Sequence, residues 1–108
     1  MEEPQSAFLD VFGNTPMLRL LDFLVVHDDF DYSMTDIARL SNVHYVTLRS
    51  LWPKLERSGM VVMTRKVGKA KMFKFNKRNP IAKRFHKFFC DVTRAEVRRD
   101  IKEMTVQH

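Results

Sequence analysis

A chain of 108 residues with nineteen Lys or Arg against thirteen Asp or Glu, a formal net charge of +6, has the size of one small domain. Its 44% hydrophobic and 30% charged residues suit one modest core beneath a well-solvated surface. No apolar run approaches the roughly 18–20 residues of a membrane span, one cysteine gives no intramolecular disulfide framework, and Met1-Glu2-Glu3-Pro4 lacks a signal-peptide core; the expected compartment is the cytoplasm.

The charge is unevenly spread. Up to Leu48 the basic residues are Arg19 and Arg39, against eight acidic ones; from Arg49 to Lys87 there are thirteen basic residues and one acidic, Glu56. The tail from Phe88 is balanced, four of each sign. Clustered cations release condensed counterions when they neutralise phosphates, so the middle of the chain is a candidate nucleic-acid surface. A lysine-rich solvated face is the plainer alternative.

In chain order, Phe8, Leu9 and Phe12 fit one side of a single helical turn ended by Gly13. Thr15 as N-cap with Pro16 at the first helical position announces the next helix. Met17, Leu18, Leu20, Leu21, Leu24 and Val25 make it apolar over a broad face, so it is expected at the centre of the core. The loop His27-Asp28-Asp29-Phe30-Asp31 lacks the spacing and bend glycine of an EF-hand and reads as a solvated turn. Tyr32 is expected in a short strand.

Two apolar-periodic segments, 34–41 and 44–58, are then separated by only Asn42 and Val43. Ser33 can cap the first, with Asp36 completing a capping box, and Asn42 tolerates the positive φ of a tight turn. Leu48, Leu51, Trp52 and Leu55 recur at helical spacing and should be buried. The other side carries Val46, Thr47, Arg49, Ser50 and Lys54. Pro53 should bend this helix, and His44 stands where a stronger cap would be expected, as a phosphate donor or merely facing solvent. The pair reads as a helix-turn-helix.

After Gly59 the period becomes alternating. Segments 60–66 and 69–75 form a hairpin around Val67-Gly68, with Phe73 and Phe75 inward, Val61 and Met63 as their partners, and Arg65, Lys66, Lys69 and Lys71 crowding the tip. Such a hairpin can follow a phosphate backbone or enter a minor groove; a charged edge that deters aggregation is the alternative. Pro80 opens the last helix, where Ile81, Phe85, Phe88, Phe89 and Val92 share one side and Val97, Ile101 and Met104 another. Either one helix carries two apolar faces, or Thr93 and Glu96 cap a separate one.

Ile37-Ala38, Asn42-Val43, Leu48 and Leu51 resemble the helix-turn-helix of winged-helix transcription regulators. Leu55-Glu56-Arg57-Ser58-Gly59-Met60-Val61-Val62 is similar to the run that ends the recognition helix in MarR-like proteins. Phe12-Gly13-Asn14-Thr15-Pro16, with Phe75-Asn76 and Asn79-Pro80, resembles a group of small archaeal winged-helix regulators. The resemblance spans roughly residues 12–80. It implies an α+β fold, a winged helix-turn-helix with a three-helix core and a β-hairpin wing, plus N- and C-terminal dimerisation helices. The divisions expected are 1–13, 14–79 and 80–108.

Catalysis finds little support: the three glycines are scattered, and no nucleophile–base pattern stands out by spacing. His86 and Cys90 share a helix side but offer two ligands where zinc wants four, and the cysteine pair of metal-sensing ArsR-like proteins is absent; no metal or cofactor is expected. The functional expectation is a homodimeric regulator of double-stranded DNA, not an enzyme, with no membrane partner; whether a small-molecule effector exists is not given by the sequence. Tyr45, Thr47, Arg49 and Ser50 would read base edges, with Val46 available for a thymine methyl. His44, Lys54, Arg65, Lys66, Lys69 and Lys71 would hold the backbone. Phe8, Leu9, Phe12, Phe85, Phe88, Phe89, Val92, Val97, Ile101 and Met104 would form the dimer surface. The alternative is a winged-helix protein-interaction module in a larger transcription or replication assembly.

Overall fold

Local capping chemistry sets the helix starts. The computed structural model describes residues 5–106, with side chains to residue 103; the side chain of Met104, expected in the dimer surface, lies outside the described residues. Helix α1 (Ala7–Phe12) begins at Ser6, whose hydroxyl accepts the Leu9 N–H at 3.2 Å, and stops at Gly13, φ 99°. Helix α2 (Pro16–Val26) begins at Thr15, which accepts the Leu18 N–H at 3.2 Å with proline in the first turn. It buries Leu20, Phe23, Leu24 and Val25 at the middle of the core. Strand β1 (Tyr32–Ser33) runs directly into helix α3 (Met34–Ser41). Ser33 accepts the Asp36 N–H, but Asp36 turns its carboxylate to Arg39 at 3.3 Å. Half of the expected capping box is therefore observed.

Helices α3 and α4 (Tyr45–Arg57) end in the same way. After α3, Asn42 takes the left-handed conformation at φ 58°, and the Val43 N–H reaches back to the Ala38 carbonyl at 2.9 Å. After α4, Gly59 has φ 76°, and the Met60 N–H reaches the Leu55 carbonyl at 3.1 Å. Both bonds are the six-to-one closure of a Schellman motif, and Val43 and Met60, the residues just beyond, are buried as that motif favours. The first motif sets the turn between the two helices. The second launches the sheet.

Strands β2 (Val61–Val67) and β3 (Ala70–Phe75) pair antiparallel, and β1 pairs with the outer side of β3, giving the order β1-β3-β2. Val61 faces Phe75 and Met63 faces Phe73 across the strands, as their alternation implies. The two-residue turn is Gly68-Lys69, one residue later than the spacing suggests, and the pairing slips by one between Met63 and Arg65. Gly68 supplies the positive φ, 61°, that tight hairpin turns need.

Helix α5 (Pro80–Val106) is continuous. Thr93 does not cap a new helix, since its hydroxyl donates to the Phe89 carbonyl one turn back at 3.1 Å. The first half of α5 buries Ala82 and Phe89 and returns to α1, where Phe8 meets Phe89 at 4.9 Å and Phe85 edge-on at 5.6 Å. Among the described residues beyond Phe89, none on α5 is buried. None of the described helices is long and apolar enough to cross a membrane.

Two consequences are measurable. A Cβ on Gly59 would come within 2.2 Å of Asn79 Nδ2, and Asn79 cannot simply swing away, because its Oδ1 accepts the Ile81 and Ala82 N–H groups at the start of α5. Gly59→Ala adds left-handed strain to cap loss and should cost about 2–3 kcal/mol in urea denaturation. Gly68→Ala, with nothing within 4 Å, should cost only the backbone part, about 1 kcal/mol. The second concerns Asp22, which accepts the Ser6 hydroxyl at 2.7 Å. Burial raises its carboxyl above the usual value, partly offset by the Ser6 hydrogen bond and by His27. The folded chain thus holds this proton more tightly than the unfolded chain, so the contribution is fully present below the ordinary carboxylate value and is lost as pH rises through the raised one. Asp22→Asn should melt at an equal or higher temperature than the parent at pH 7, by roughly 2 °C, with the gap closing in mild acid.

Candidate nucleic-acid interface

Helix α4 has a fixed inner stripe. Leu48, Trp52 and Leu55 are buried, and Trp52 packs edge-on against Phe73 of β3 with centroids 5.1 Å apart. With that stripe fixed, the remaining faces of α4 must point to solvent. The one toward the wing carries Tyr45, Arg49, Pro53 and Glu56 at successive turns. Together with Ser33, Met34 and Thr35, and with Met63, Lys69, Ala70, Lys71 and Phe73 from the wing, it lines an open cleft of about 810 Å³. The structure therefore brings Tyr45, Arg49, Lys69 and Lys71 around one concavity.

Within the cleft the Arg49 guanidinium lies over the Tyr45 ring, 5.9 Å from its centroid. Stacking of this kind restrains the planar fork while leaving its donors outward. The Trp52 indole N–H is buried without an acceptor among the described residues. Val46, at 80% the most exposed large hydrophobic residue described, Thr47, Ser50 and Lys54 lie outside the cleft lining. Val46, Ser50 and Lys54 are exposed and Thr47 is half-buried. His44 is exposed at the start of α4 and makes no side-chain capping bond, so its side chain does not satisfy the first-turn backbone N–H groups at the positive end of the helix dipole. An anion is the natural partner for such an end.

The wing cations divide into two groups. Lys66, Lys69 and Lys71 are exposed. Arg65 is exposed as well, yet it is held by Asp31: its Nε donates to Oδ2 at 3.0 Å and its Nη2 to Oδ1 at 3.2 Å, while the Thr64 hydroxyl donates to Oδ2. The Arg65 hydrogen bonds, then that of Thr64, hold the Asp31 carboxyl below the usual carboxylate range, and the same pairing raises Arg65. The pair's contribution is present above the ordinary carboxylate value and is lost only as pH falls through the lowered one.

The acidic loop is more than a solvated turn. Asp28 accepts from His86 Nε2 at 2.8 Å and pairs with Lys77 Nζ at 3.5 Å. Cys90 Sγ lies 3.8 Å from the other ring nitrogen of His86, so the carboxylate and the thiol bracket opposite edges of the imidazole and do not converge on one point. Among the described residues no group of three or more His, Cys, Asp or Glu is placed to hold a metal ion. Nothing in the local sequence signals the Asp31–Arg65 pair, which joins positions 34 apart.

The residues expected in a dimer surface fall into two layers. Phe8, Leu9 and Phe89 are buried by their own chain, and Phe85 and Val92 are half-buried. Phe12 and Phe88, in contact with each other at 5.6 Å, remain nearly half-exposed, as do Val97 and Ile101 farther along α5. The inner layer holds α1 on α5, and the outer layer is an apolar surface.

No protein-family model matches the chain, and no curated protein matches it in sequence. Its likenesses are to solved structures. MepR, a transcription regulator of the Staphylococcus aureus multidrug efflux pump MepA, superposes with a TM-score of 0.66 at 17% identity, over 90% of this chain and 72% of that one. A variant of MepR bound to an oligodeoxyribonucleotide gives 0.59 at 12% identity, over 94% and 70%. The MarR family transcriptional regulator SPO1453 from Silicibacter pomeroyi gives 0.60 at 16% identity, over 87% of this chain and 64% of that one. The homodimeric winged helix-turn-helix DNA-binding domain of Mb0332 from Mycobacterium bovis, described as a possible ArsR-family regulator, gives 0.55 at 18% identity, over 94% and 83%. The chain has the winged helix-turn-helix fold of the MarR-like transcription regulators.

Proposed function

We propose that this chain is a sequence-specific double-stranded DNA-binding transcription regulator that acts in the cytoplasm as a homodimer. The observation that carries this reading is the coincidence of charge with shape. The span from Arg49 to Lys87, with thirteen basic residues and one acidic, supplies the exposed side of α4 and the wing on either side of one open cleft. The solved neighbours support it, since one is a transcription regulator, a variant of it was solved with an oligodeoxyribonucleotide, and another is a homodimeric DNA-binding domain.

In this reading residues 14–79 form the DNA-reading unit. Helix α4 enters the major groove amino-end first. Tyr45, Thr47, Arg49 and Ser50 meet base edges, and Val46 covers a thymine methyl. Lys54, Lys66, Lys69 and Lys71 neutralise phosphates along the flanking backbone, and the wing tip reaches the adjacent minor groove. Residues 1–13 and 80–108 make the pairing surface. The second half of α5 projects beyond the core, and a lone helix of a few turns is marginal in water, so a second copy covering Phe12, Phe88 and Val97 stabilises it. Two-fold pairing sets two α4 helices over half-sites about one helical turn apart, roughly 34 Å.

Titration of variants against a selected site and a scrambled duplex at several salt concentrations tests the interface. Arg49→Ala should lose about 1–3 kcal/mol of preferred-site affinity and much less on scrambled DNA. Lys66→Ala and Lys69→Ala should weaken both duplexes alike and shallow the salt dependence by about one unit per lost contact. Equal losses on both duplexes for Arg49→Ala, with a changed salt slope, would make it a backbone clamp. Salt-sensitive binding blind to sequence in the parent protein would favour a protein-interaction module instead.

Sedimentation equilibrium tests the pairing. The parent should have twice the chain mass at tens of micromolar, and Phe88→Asp or Val97→Asp should weaken association by about tenfold or more. A parent mass equal to one chain would remove the two-half-site arrangement.

A further inference from the structure

Strand β2 contains one residue too many for its partner. The ladder runs Val61 to Phe75, Val62 to Lys74 and Met63 to Phe73, then resumes at Arg65 to Met72, so Thr64 is the extra residue of a β-bulge. In an even strand, consecutive side chains point to opposite faces. Here Thr64 and Arg65 both reach the same carboxylate, that of Asp31. A bulge bends and twists its strand and so re-aims everything beyond it. Beyond this one lie Lys66, the Gly68-Lys69 turn and Lys71.

Asp31 itself has a firm seat. It immediately precedes β1, whose Tyr32 pairs with Phe73, the residue that also pairs with Met63 on the far side. The carboxylate therefore grips the bulge from a point fixed at the base of the wing. Its side chain is only 17% exposed.

We propose that Asp31 is a positioning residue for DNA binding, which locks the Thr64 bulge and so fixes the direction in which the wing presents Lys66, Lys69 and Lys71. The inference rests on the DNA-interface reading given above. It has a consequence of unusual sign. Removing an acidic group beside a phosphate-binding surface should on plain electrostatic grounds tighten DNA binding. The same holds if Asp31 merely keeps Arg65 from a phosphate. A positioning role requires the opposite.

Asp31→Asn keeps the shape and removes the charge. Backbone relaxation and residual dipolar couplings of residues 64–71 in the free protein should change, with the thermal transition still cooperative. Duplex affinity should fall about threefold to tenfold, the size of effect transmitted by a residue without ligand contact. The reversed pair, Asp31→Arg with Arg65→Asp, should recover the tip couplings and part of the affinity that either single change loses. Unchanged tip couplings in Asp31→Asn, or affinity equal to or tighter than the parent's, would overturn the proposal. A parent protein with no affinity for duplex DNA would sink the interface reading instead. The tip couplings, which need no DNA, would still decide whether Asp31 holds the wing.

Discussion

The edge-on contact between Trp52 and Phe73 is the joint from which both halves of the candidate interface extend. Trp52 is a buried aromatic residue of α4, and Phe73 is the point where all three strands line up. Burying the two rings fixes how α4 rolls about its axis, and with it which residues face outward. It also fixes where β3 runs, and hence where the hairpin points. Large aromatic pairs suit such a joint, because they bury much area with few rotatable bonds and prefer definite relative angles. The cleft between helix and wing is the space that this contact leaves open above it.

What was legible in the sequence was what is decided locally. Ser33, Thr15 and Pro16 announce helix starts through the nearest few backbone groups, and the alternating four- and three-residue spacing of Leu48, Trp52 and Leu55 identifies the buried stripe without reference to a partner. Asn42 was readable for the same reason, as a residue able to hold a positive φ. The fold follows from these. The candidate site was legible as a set of exposed residues on one helix and one hairpin.

The remainder is set by long-range pairing. The hairpin turn lies at Gly68-Lys69 and Thr64 is left out of the ladder, and the carboxylate that Thr64 and Arg65 both reach comes from a loop more than thirty positions earlier. Likewise, Phe8, Leu9 and Phe89 read as surface groups awaiting a partner, since the sequence does not show that α1 and α5 cover each other. Continuity of α5 through Thr93 was equally open. A Thr-x-x-Glu pattern is compatible with a cap or with a hydroxyl bonding back one turn, and only the path of the backbone decides between them.

The lopsided charge of the chain acquires a structural meaning from the same contacts. The acidic first half does not act only through its overall charge. Asp28 draws in Lys77 and His86 at the start of α5, and Asp31 draws in Arg65 at the base of the wing. These pairs subtract cations from the basic span at its edges, while the exposed Lys66, Lys69 and Lys71 lie farther out along the hairpin. Pairs of this type, in which the carboxylate is largely covered and the cation partly open to solvent, add only modestly to stability on their own. Their stronger effect is on pattern, because a hairpin held at its base by opposite charge concentrates its remaining positive potential toward the tip and the cleft. In a protein that binds a polyanion, such concentration determines which part of the surface makes first contact. The acidic loop and the basic wing thus act together to aim one charged edge.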